Sequence, residues 1–498
     1  MSGMLTERYR DRLAGVLSCY DRIVITGTLP GICYAAGMTS FLNSKKIRIF
    51  DYARFAEPLR DAIRERAQQV AEAQGARIEY IAKAHIRKED VVAKVLAARG
   101  DHPGLVHIIS GMENCSAYKP WHDKATGKTF LKPDSGKCLH YYFYFIDEVL
   151  GLCYLRVPTW CPFRLQFYCN GHSWLARKLA AEGIDFTTAD NAFIRVADFD
   201  RAQTIADTLK PDELHRRLDR YAAHLCPVRE VFAQDYHWSL MQVEYSTDLI
   251  FRSETTLAPL YEQLTRQAVL AVKAEQVASF LGKKISPVLA QEIGCRFATC
   301  IKHRFGKTGV KMYDKFARVL RLETTTNDVS FFKHHRKVEH KDGHSTREVA
   351  PLKKSIYSLI DLREILAGCN RRYLEFLSAL DDTAAGARDL ARLTEPQHEG
   401  ERIIKGLNFF APTEQTLLRA LQRPEFNLHG MRRADIKAFV ALNDSALSRQ
   451  LHRLHVLGLI KRVVHSYRYY LTRLGRAAIA AACSVMQFHI IPAMASAK

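Results

Sequence analysis

The chain has 498 residues, a formal net charge of +20 and a hydrophobic share of 47%. That length suggests about three domains, and the composition is that of a globular chain and argues against wholesale disorder. The 73 Lys and Arg against 53 Asp and Glu favour a polyanionic partner, because each neutralised phosphate releases condensed counterions; a basic soluble protein without nucleic acid is the plainer alternative.

No run reaches the roughly 18 apolar residues of a membrane helix, and the start, MSGMLTERYRDRLAGVL, is charged and lacks a signal-peptide core. No membrane partner is expected. The 12 cysteines form no C-x-x-C pair, and the spacing of eight between Cys153, Cys161 and Cys169 fits no zinc site. Free thiols in a reducing cytosol, hence a cytoplasmic protein, are the expectation.

In chain order, CYDRIVITGTL predicts a strand, DYARFAEPLRDAIRERAQQVAEAQG an amphipathic helix closed by Gly75, ARIEYIA a strand and KEDVVAKVLAARG a helix. GLVHIISGM follows as a strand, and KCLHYYFYFID with LGLCYLRVPTW as an antiparallel hairpin. NGHSWLARKLAAEG reads as a helix with Asn170 near its start and Gly183 just past its end. Residues 226–298 read as mostly helical. TCIKHRF, VKMYDK and RVLRLETTT then form a three-strand meander, with a break near Phe316 and Ala317. FFKHHRKVEHKDGHSTREVAPLKK is a basic loop or long hairpin arm, 356–394 is helical, and TEPQHEGER is a linker. The division expected is an αβ body over 1–225, a helical segment over 226–298, a meander with basic arm and helices over 299–394, and a terminal domain over 401–498. The fold class is multi-domain α+β.

The terminal domain carries the most specific pattern. PTEQTLLRALQR, RRADIKAFV and SALSRQLHRLHVLGLI are three helices, with Asp444 or Ser445 as cap of the third. KRVVHSYRYYLTRLGRAAI adds strand, turn, strand and helix, the order of a winged helix-turn-helix. In the third helix Leu447, Leu451 and Leu454 repeat on one face, leaving Ser448, Arg449, His452, Arg453 and His455 outward to meet base edges and phosphates. Lys461, Arg462, His465 and Arg468 of the wing, and Arg432 and Arg433 before the second helix, suit phosphate contact. LHVLGLIKR…YRYYLT resembles the join between recognition helix and wing in MarR-type regulators. That resemblance implies DNA binding; a winged helix used for protein contact is the alternative.

In the meander, Lys311, Tyr313 and Lys315 share one strand face and Arg321, Glu323 and Thr325 share a face of the next. A carboxylate there suits Mg²⁺ or Mn²⁺, and a tyrosine can attack a phosphodiester once its proton leaves. Tyr-Asp-Lys followed by Arg-x-Glu resembles the replication initiation factors of rolling-circle plasmids and is similar to filamentous-phage replication proteins. The resemblance implies a nucleophile in Tyr313, a metal ligand in Glu323 and phosphate contacts in Lys315 and Arg321. No His-hydrophobic-His pair accompanies it. LHYYFYFID, YLRVPTWCPFRLQ, NGHSWLARKL and KMYDK…LRLETT together resemble a group of bacterial proteins of mobile-element type that carries no established chemistry. A solvated face with an Arg–Glu salt bridge is the structural alternative for the meander.

Asp21, Glu113 and Asp147 stand at strand ends, where two-metal nucleases hold their ions; polar strand ends are also ordinary. His140 reads as a packed histidine. Tyr142 and Tyr144 alternate with Tyr141, Phe143 and Phe145 and would stack unpaired bases if one face were open, or fill two buried faces. Lys333, Arg336 and Lys337, among His334, His335, His340 and Lys341, form the basic arm. The expected partner is DNA, with RNA as an alternative for the body. The function expected is metal-dependent nicking and joining of element DNA. The alternatives are a non-enzymatic RNA or single-strand binder and a transcription regulator.

Overall fold

Strand-forming segments from the whole body meet in one sheet. The computed structural model describes residues 4–83, 85–272, 274–283, 293–297, 300–340, 342–381, 383–423, 425–426, 430–463 and 466–496. Lys341 and His465 lie outside them. The chain divides into two compact units, the first ending at Asp381 and the second spanning residues 382–498.

The strands of the body are β1 (Leu13–Thr28), β2 (Ile78–Tyr80), β3 (Gly104–Asp123), β4 (Lys128–Asp147), β5 (Gly151–Pro158), β6 (Leu165–Asn170), β7 (Phe186–Ala189), β8 (Ala192–Val196), β9 (His237–Phe251), β10 (Ile293–Phe297), β11 (Cys300–Phe305), β12 (Thr308–Lys315) and β13 (Val319–Thr326). Eleven form one sheet in the order β10-β11-β12-β13-β9-β1-β6-β5-β4-β3-β2, and β7 and β8 make a separate hairpin. All neighbours pair antiparallel except β2 with β3.

β9 corrects the expected helical segment. The span does hold helices at Glu254–Ala271 and Ala274–Phe280, but His237–Phe251 is a strand between β1 and β13. Its polar residues Gln242, Glu244, Ser246 and Asp248 alternate with Val243, Tyr245, Thr247 and Leu249, a period of two fixed by partners on both sides. β9 also joins the three expected body segments into one unit, and the boundary falls at 381 rather than near 400.

One face of the sheet is buried under helices. Ile23, Ile25, Phe143, Phe145, Tyr245, Leu249 and Leu322 share the main core with Ile63, Leu218, Leu264, Leu366 and Tyr373 of those helices. The other face is covered in patches. Over β3 and β4 the helix Lys88–Arg99 seals a small core of Val92, Val106, Ile109, Tyr142, Tyr144 and Ile146. β14 (Lys333–Glu339) and β15 (Ser345–Pro351) form the basic arm as a two-stranded ribbon.

In the second unit, helices Pro412–Leu421, Arg433–Lys437 and Asp444–Val456 precede β18 (Ile460–Arg462) and β19 (Tyr469–Leu471), and helix Arg473–Val485 follows. This is the winged helix-turn-helix order. Leu447, Leu451 and Leu454 are buried as their period requires, while Asn443, rather than Asp444 or Ser445, caps the third helix by accepting from Ala446 N. The expected linker contains a short hairpin, β16 (Gln397–Glu399) and β17 (Arg402–Ile404). Among the described residues one helix, Arg473–Ala495, is long and apolar enough to cross a membrane by length and composition, and little of it is buried. Alanines rather than an unbroken run of large apolar side chains give it that character.

Candidate metal-binding and catalytic site

Residues paired across antiparallel strands point to the same side of a sheet. Lys311 pairs with Glu323 and Tyr313 with Arg321; Glu323 pairs with Ser246 and Arg321 with Asp248. The face formed by Lys311, Tyr313, Arg321 and Glu323 therefore continues onto β9. It reaches β1 through a bulge: Tyr20 pairs with Tyr245 and Ile23 with Val243, so Asp21 and Arg22 together oppose Glu244. The extra residue keeps Tyr20 and Ile23 toward the core and frees both Asp21 and Arg22 for the other face.

Asp21, Glu244 and Glu323 each place one carboxylate oxygen within 4.8 Å of the others, a group that could hold a metal ion. Lys311 already brings a positive charge there, with Nζ 2.5 Å from Glu323 and 3.9 Å from Glu244. The Tyr313 hydroxyl donates to Glu323 Oε2 at 2.6 Å.

The carboxylates differ in state. Burial, with the nearby charges of Glu244 and Asp21, pushes Glu323 up to about 7 despite Lys311. Burial also disfavours ionised Asp21, but hydrogen bonding to His172 and the charge of Arg321 hold it well below the usual carboxylate range. Asp21 Oδ1 accepts from Asn170 at 2.9 Å and Asn191 at 2.7 Å. Burial and the Glu323 charge raise the Tyr313 phenol, so it rests protonated.

Asn170 and His172 reach Asp21 because their helix starts against β1. Asn170 caps Gly171–Ala181 by accepting from His172 N and Ser173 N. A Cβ on Gly171 would lie 2.0 Å from the Tyr20 carbonyl oxygen, so no larger residue lets the helix approach so closely. An open pocket of about 450 Å³ adjoins this corner, lined in part by Asn170, His172, Asp190 and Asn191.

Arg321 is not the phosphate contact its sequence position implied. Its side chain is 0% exposed. It grips Asp248 through Nε at 2.7 Å and Nη2 at 2.6 Å, reaches Asp21 through Nη1 at 3.3 Å, and contacts His172 Nε2 and the Asn191 carbonyl through Nη2. It is a positioning residue that holds two acids apart. Lys315 is half-buried beside Asn191 and Asp190. Asp248, Glu244, His172 and Asn191 are site residues that sequence reasoning missed.

Glu113 and Asp147 do not join the cluster. Glu113, on β3, pairs with Lys88 at 2.9 Å and Arg156 at 3.2 Å and accepts from Tyr142. Asp147, ending β4, accepts from Val149 N, Leu150 N, Arg217 and Tyr221. β6 and β5 separate β1 from β4, so the expected Asp21–Glu113–Asp147 group does not form. His140 is a packed histidine, lowered to about 4 by burial and Arg156.

Tyr142 and Tyr144 are 8% and 4% exposed beneath the helix Lys88–Arg99, so neither offers a ring to a base. The aromatic row continues outward from them. Tyr154 and Tyr168 stack at 5.2 Å, Arg22 lies 5.3 Å over Tyr168, and Arg22 is 4.0 Å from Glu244 of the acidic triad.

In the second unit Arg449, Lys461, Arg462 and Arg432 are exposed, while Arg468 is half-buried. Ser448 accepts from Arg433 at 3.1 Å, and His452 contacts Glu399 at 2.7 Å. Arg453 is drawn inward: it pairs with Glu414 at 3.0 Å and donates to the carbonyls of Lys405 and Gly406. Its donors serve the domain's own packing, so it does not stand outward with Arg449 as its helical period implied. On the ribbon Lys333 and Lys337 are exposed, and Arg336 donates to the Pro351 and Lys337 carbonyls. Compared with models of known families, with curated proteins and with solved structures, the chain finds no match in any of the three.

Proposed function

We propose that this chain cuts and rejoins one strand of nucleic acid, in the manner of a replication-initiation or transposition protein of a plasmid or mobile element. The observation that carries the reading is Tyr313, its hydroxyl hydrogen-bonded to Glu323 beside the three-carboxylate group. An all-oxygen donor set suits Mg²⁺ or Mn²⁺; such an ion, held by Asp21, Glu244 and Glu323, would polarise a phosphate and screen its charge. The Tyr313 oxygen forms a bond to phosphorus as the bond from phosphorus to the departing sugar oxygen breaks. The phenolic proton passes to Glu323, and the sugar oxygen takes one from water. Lys311 and Lys315 contribute positive charge beside the developing phosphorane. Joining is the reverse, with a sugar hydroxyl displacing the tyrosine.

The Tyr154–Tyr168–Arg22 row supports an unpaired strand running toward the triad, since every base has a face to stack. Arg449 and the wing cations support duplex DNA binding by the second unit, and the ribbon adds charge. All eleven cysteines described as free thiols fit a cytoplasmic location. The same aromatic row supports a second reading, a single-strand or RNA binder without chemistry. Incubation with single-stranded and supercoiled substrates and Mg²⁺ separates the two. A covalent protein–DNA adduct that disappears in Tyr313→Phe supports cleavage, and binding without any adduct or cut supports the second reading.

A further inference from the structure

The buried face of the sheet carries a cavity that the strand-cleavage reading does not use. It has a volume of about 510 Å³ and lies between the helices Tyr52–Ala73 and Pro211–Leu225 over the ends of β3 and β4. That size falls in the range of roughly 300–1000 Å³ usual for small-molecule sites. Its apolar wall includes Phe145 and Tyr221, whose rings lie 4.2 Å apart. Its polar rim brings together Arg66, Arg217 and Arg220.

The three arginines are not equivalent. Arg217 is held by Asp147 at 2.8 Å and by Glu213 at 3.3 Å. Asp147 is satisfied as well, by two backbone N–H groups and Tyr221 besides Arg217. Arg66 donates only to the His224 carbonyl, at 3.3 Å, and has no carboxylate partner among the described residues. Arg220 is 64% exposed, meets Asp147 at 3.7 Å and lies 5.3 Å over the Tyr221 ring. Two guanidinium groups with spare donors thus flank an aromatic wall; of the two acids in the lining Asp147 is already neutralised, and Glu148 is exposed at the rim. Planar guanidinium forks match phosphate oxygens two at a time, while an aromatic wall favours a flat ring.

We infer that this cavity binds a mononucleotide, with its phosphate on Arg66 and Arg220 and its base against the half-buried Tyr221, which the buried Phe145 backs from the core side. The site is distinct from the acidic triad, because Phe145 faces the main core whereas Glu244 and Glu323 face the opposite side of the sheet.

The experiment is calorimetric titration of the full chain with AMP, GMP, CMP and UMP, and with adenosine and inorganic phosphate as halves of the ligand. At least one mononucleotide should bind about tenfold or more tightly than either half, since both the fork and the wall contribute. Arg66→Ala and Arg220→Ala should each weaken it about tenfold. Ala73→Trp, at an exposed lining position, should block it by filling the space, with an unchanged melting temperature. Glu244→Gln should leave it intact. No nucleotide binding at millimolar concentration overturns the inference. So does binding that survives Arg220→Ala and Ala73→Trp, or that is lost in Glu244→Gln, because the ligand would then sit at the triad. None of these outcomes depends on strand cleavage.

Discussion

The central sheet and the winged helix each gather charged side chains, but the charges are disposed differently. In the sheet they are turned on one another: Arg321 is fully buried between Asp248 and Asp21, and Lys311 lies against Glu323. In the winged helix most of them are turned outward, with the half-buried Arg453 and Arg468 as exceptions. Interior charge must be paired or it drives its own neutralisation, so the sheet network is a preorganised site in which each group sets the state of the next. Exposed charge on the winged helix is screened, individually weak and suited to a long polyanion. On the proposed function, the first region would serve chemistry at a point and the second contact along a strand.

The sharpest way to break this comparison is Tyr313→Phe. The ring and its strand packing stay, and the only attacking oxygen goes. Adduct formation should fall by about three orders of magnitude or more, while affinity for substrate stays within about twofold. Full cleavage by this variant removes the nucleophile and with it the point-chemistry side of the contrast. Glu323→Gln should also lose cleavage, but excess Mn²⁺ should restore part of it, which it cannot do for Tyr313→Phe.

Next in size is Arg321→Met. Removing a buried partner leaves Asp21 and Asp248 with only His172 between them as counter-charge. Breaking such a pair costs about 3–5 kcal/mol. Thermal unfolding of the full chain should show a large drop in the body's transition and none in that of the winged helix. A variant as stable as the parent would mean that the network is not interior in solution.

The two regions also differ in how far the sequence discloses them. The winged helix is local: its three helices and two strands follow each other within about seventy residues, and periods of 3.6 and two locate each. Even there, periodicity put Arg453 on the reading face and could not see Glu414 or the carbonyls of Lys405 and Gly406 that draw it inward. The meander was equally legible, since Lys311, Tyr313, Arg321 and Glu323 are adjacent in sequence and on neighbouring strands. The remainder of the site was legible only in Asp21, a metal candidate from the sequence; Glu244 and Asp248 come from a strand whose neighbours are set by long-range pairing. The β1 bulge that turns Asp21 outward has no sequence mark of its own. β9 did have one, in the alternation of Gln242, Glu244, Ser246 and Asp248 with apolar or β-branched residues. Glu113 and Asp147 show the opposite failure. Glu113 lies in the middle of β3 rather than at its end, and neither carboxylate carries a record in sequence of whether Lys88 or Arg217 waits beside it.

A third test uses pH. Glu323 binds its proton more tightly in the folded chain, at about 7 against an ordinary 4.5. Its contribution to stability is therefore complete below about 4.5 and is lost as pH rises through 7. Asp21, held low, contributes in the other direction: its stabilisation is present above the usual carboxylate range and is lost only on strong acidification. Glu323→Gln should flatten the body's stability between these two values, measured by denaturant unfolding at fixed ionic strength. If the parent shows no loss across that window, Glu323 is already ionised and its burial is incomplete.

The smallest effects belong to the winged helix, where the comparison can be sharpened within one helix. Arg449 and Arg453 are four residues apart and would share a face on any helical wheel. Arg449 is exposed. Arg453 is clamped by Glu414 and two backbone carbonyls, and only 12% of its side chain is accessible. Arg449→Ala should weaken binding of the full chain to duplex DNA by about tenfold, within the 1–3 kcal/mol range of a contacting arginine, and leave thermal stability unchanged. The salt dependence then identifies its partner: a phosphate contact lowers the slope of affinity against salt by about one, whereas a base contact leaves the slope and relaxes sequence preference. Arg453→Ala should do the reverse, lowering the unfolding temperature of the second unit because Glu414 and the two carbonyls lose their donor, while duplex affinity at low temperature, where the unit stays folded, changes by less than about twofold. If Arg453→Ala weakens DNA binding as much as Arg449→Ala without loss of stability, the inward clamp opens on DNA. The charges of the winged helix would then be as free as its helical period alone suggests.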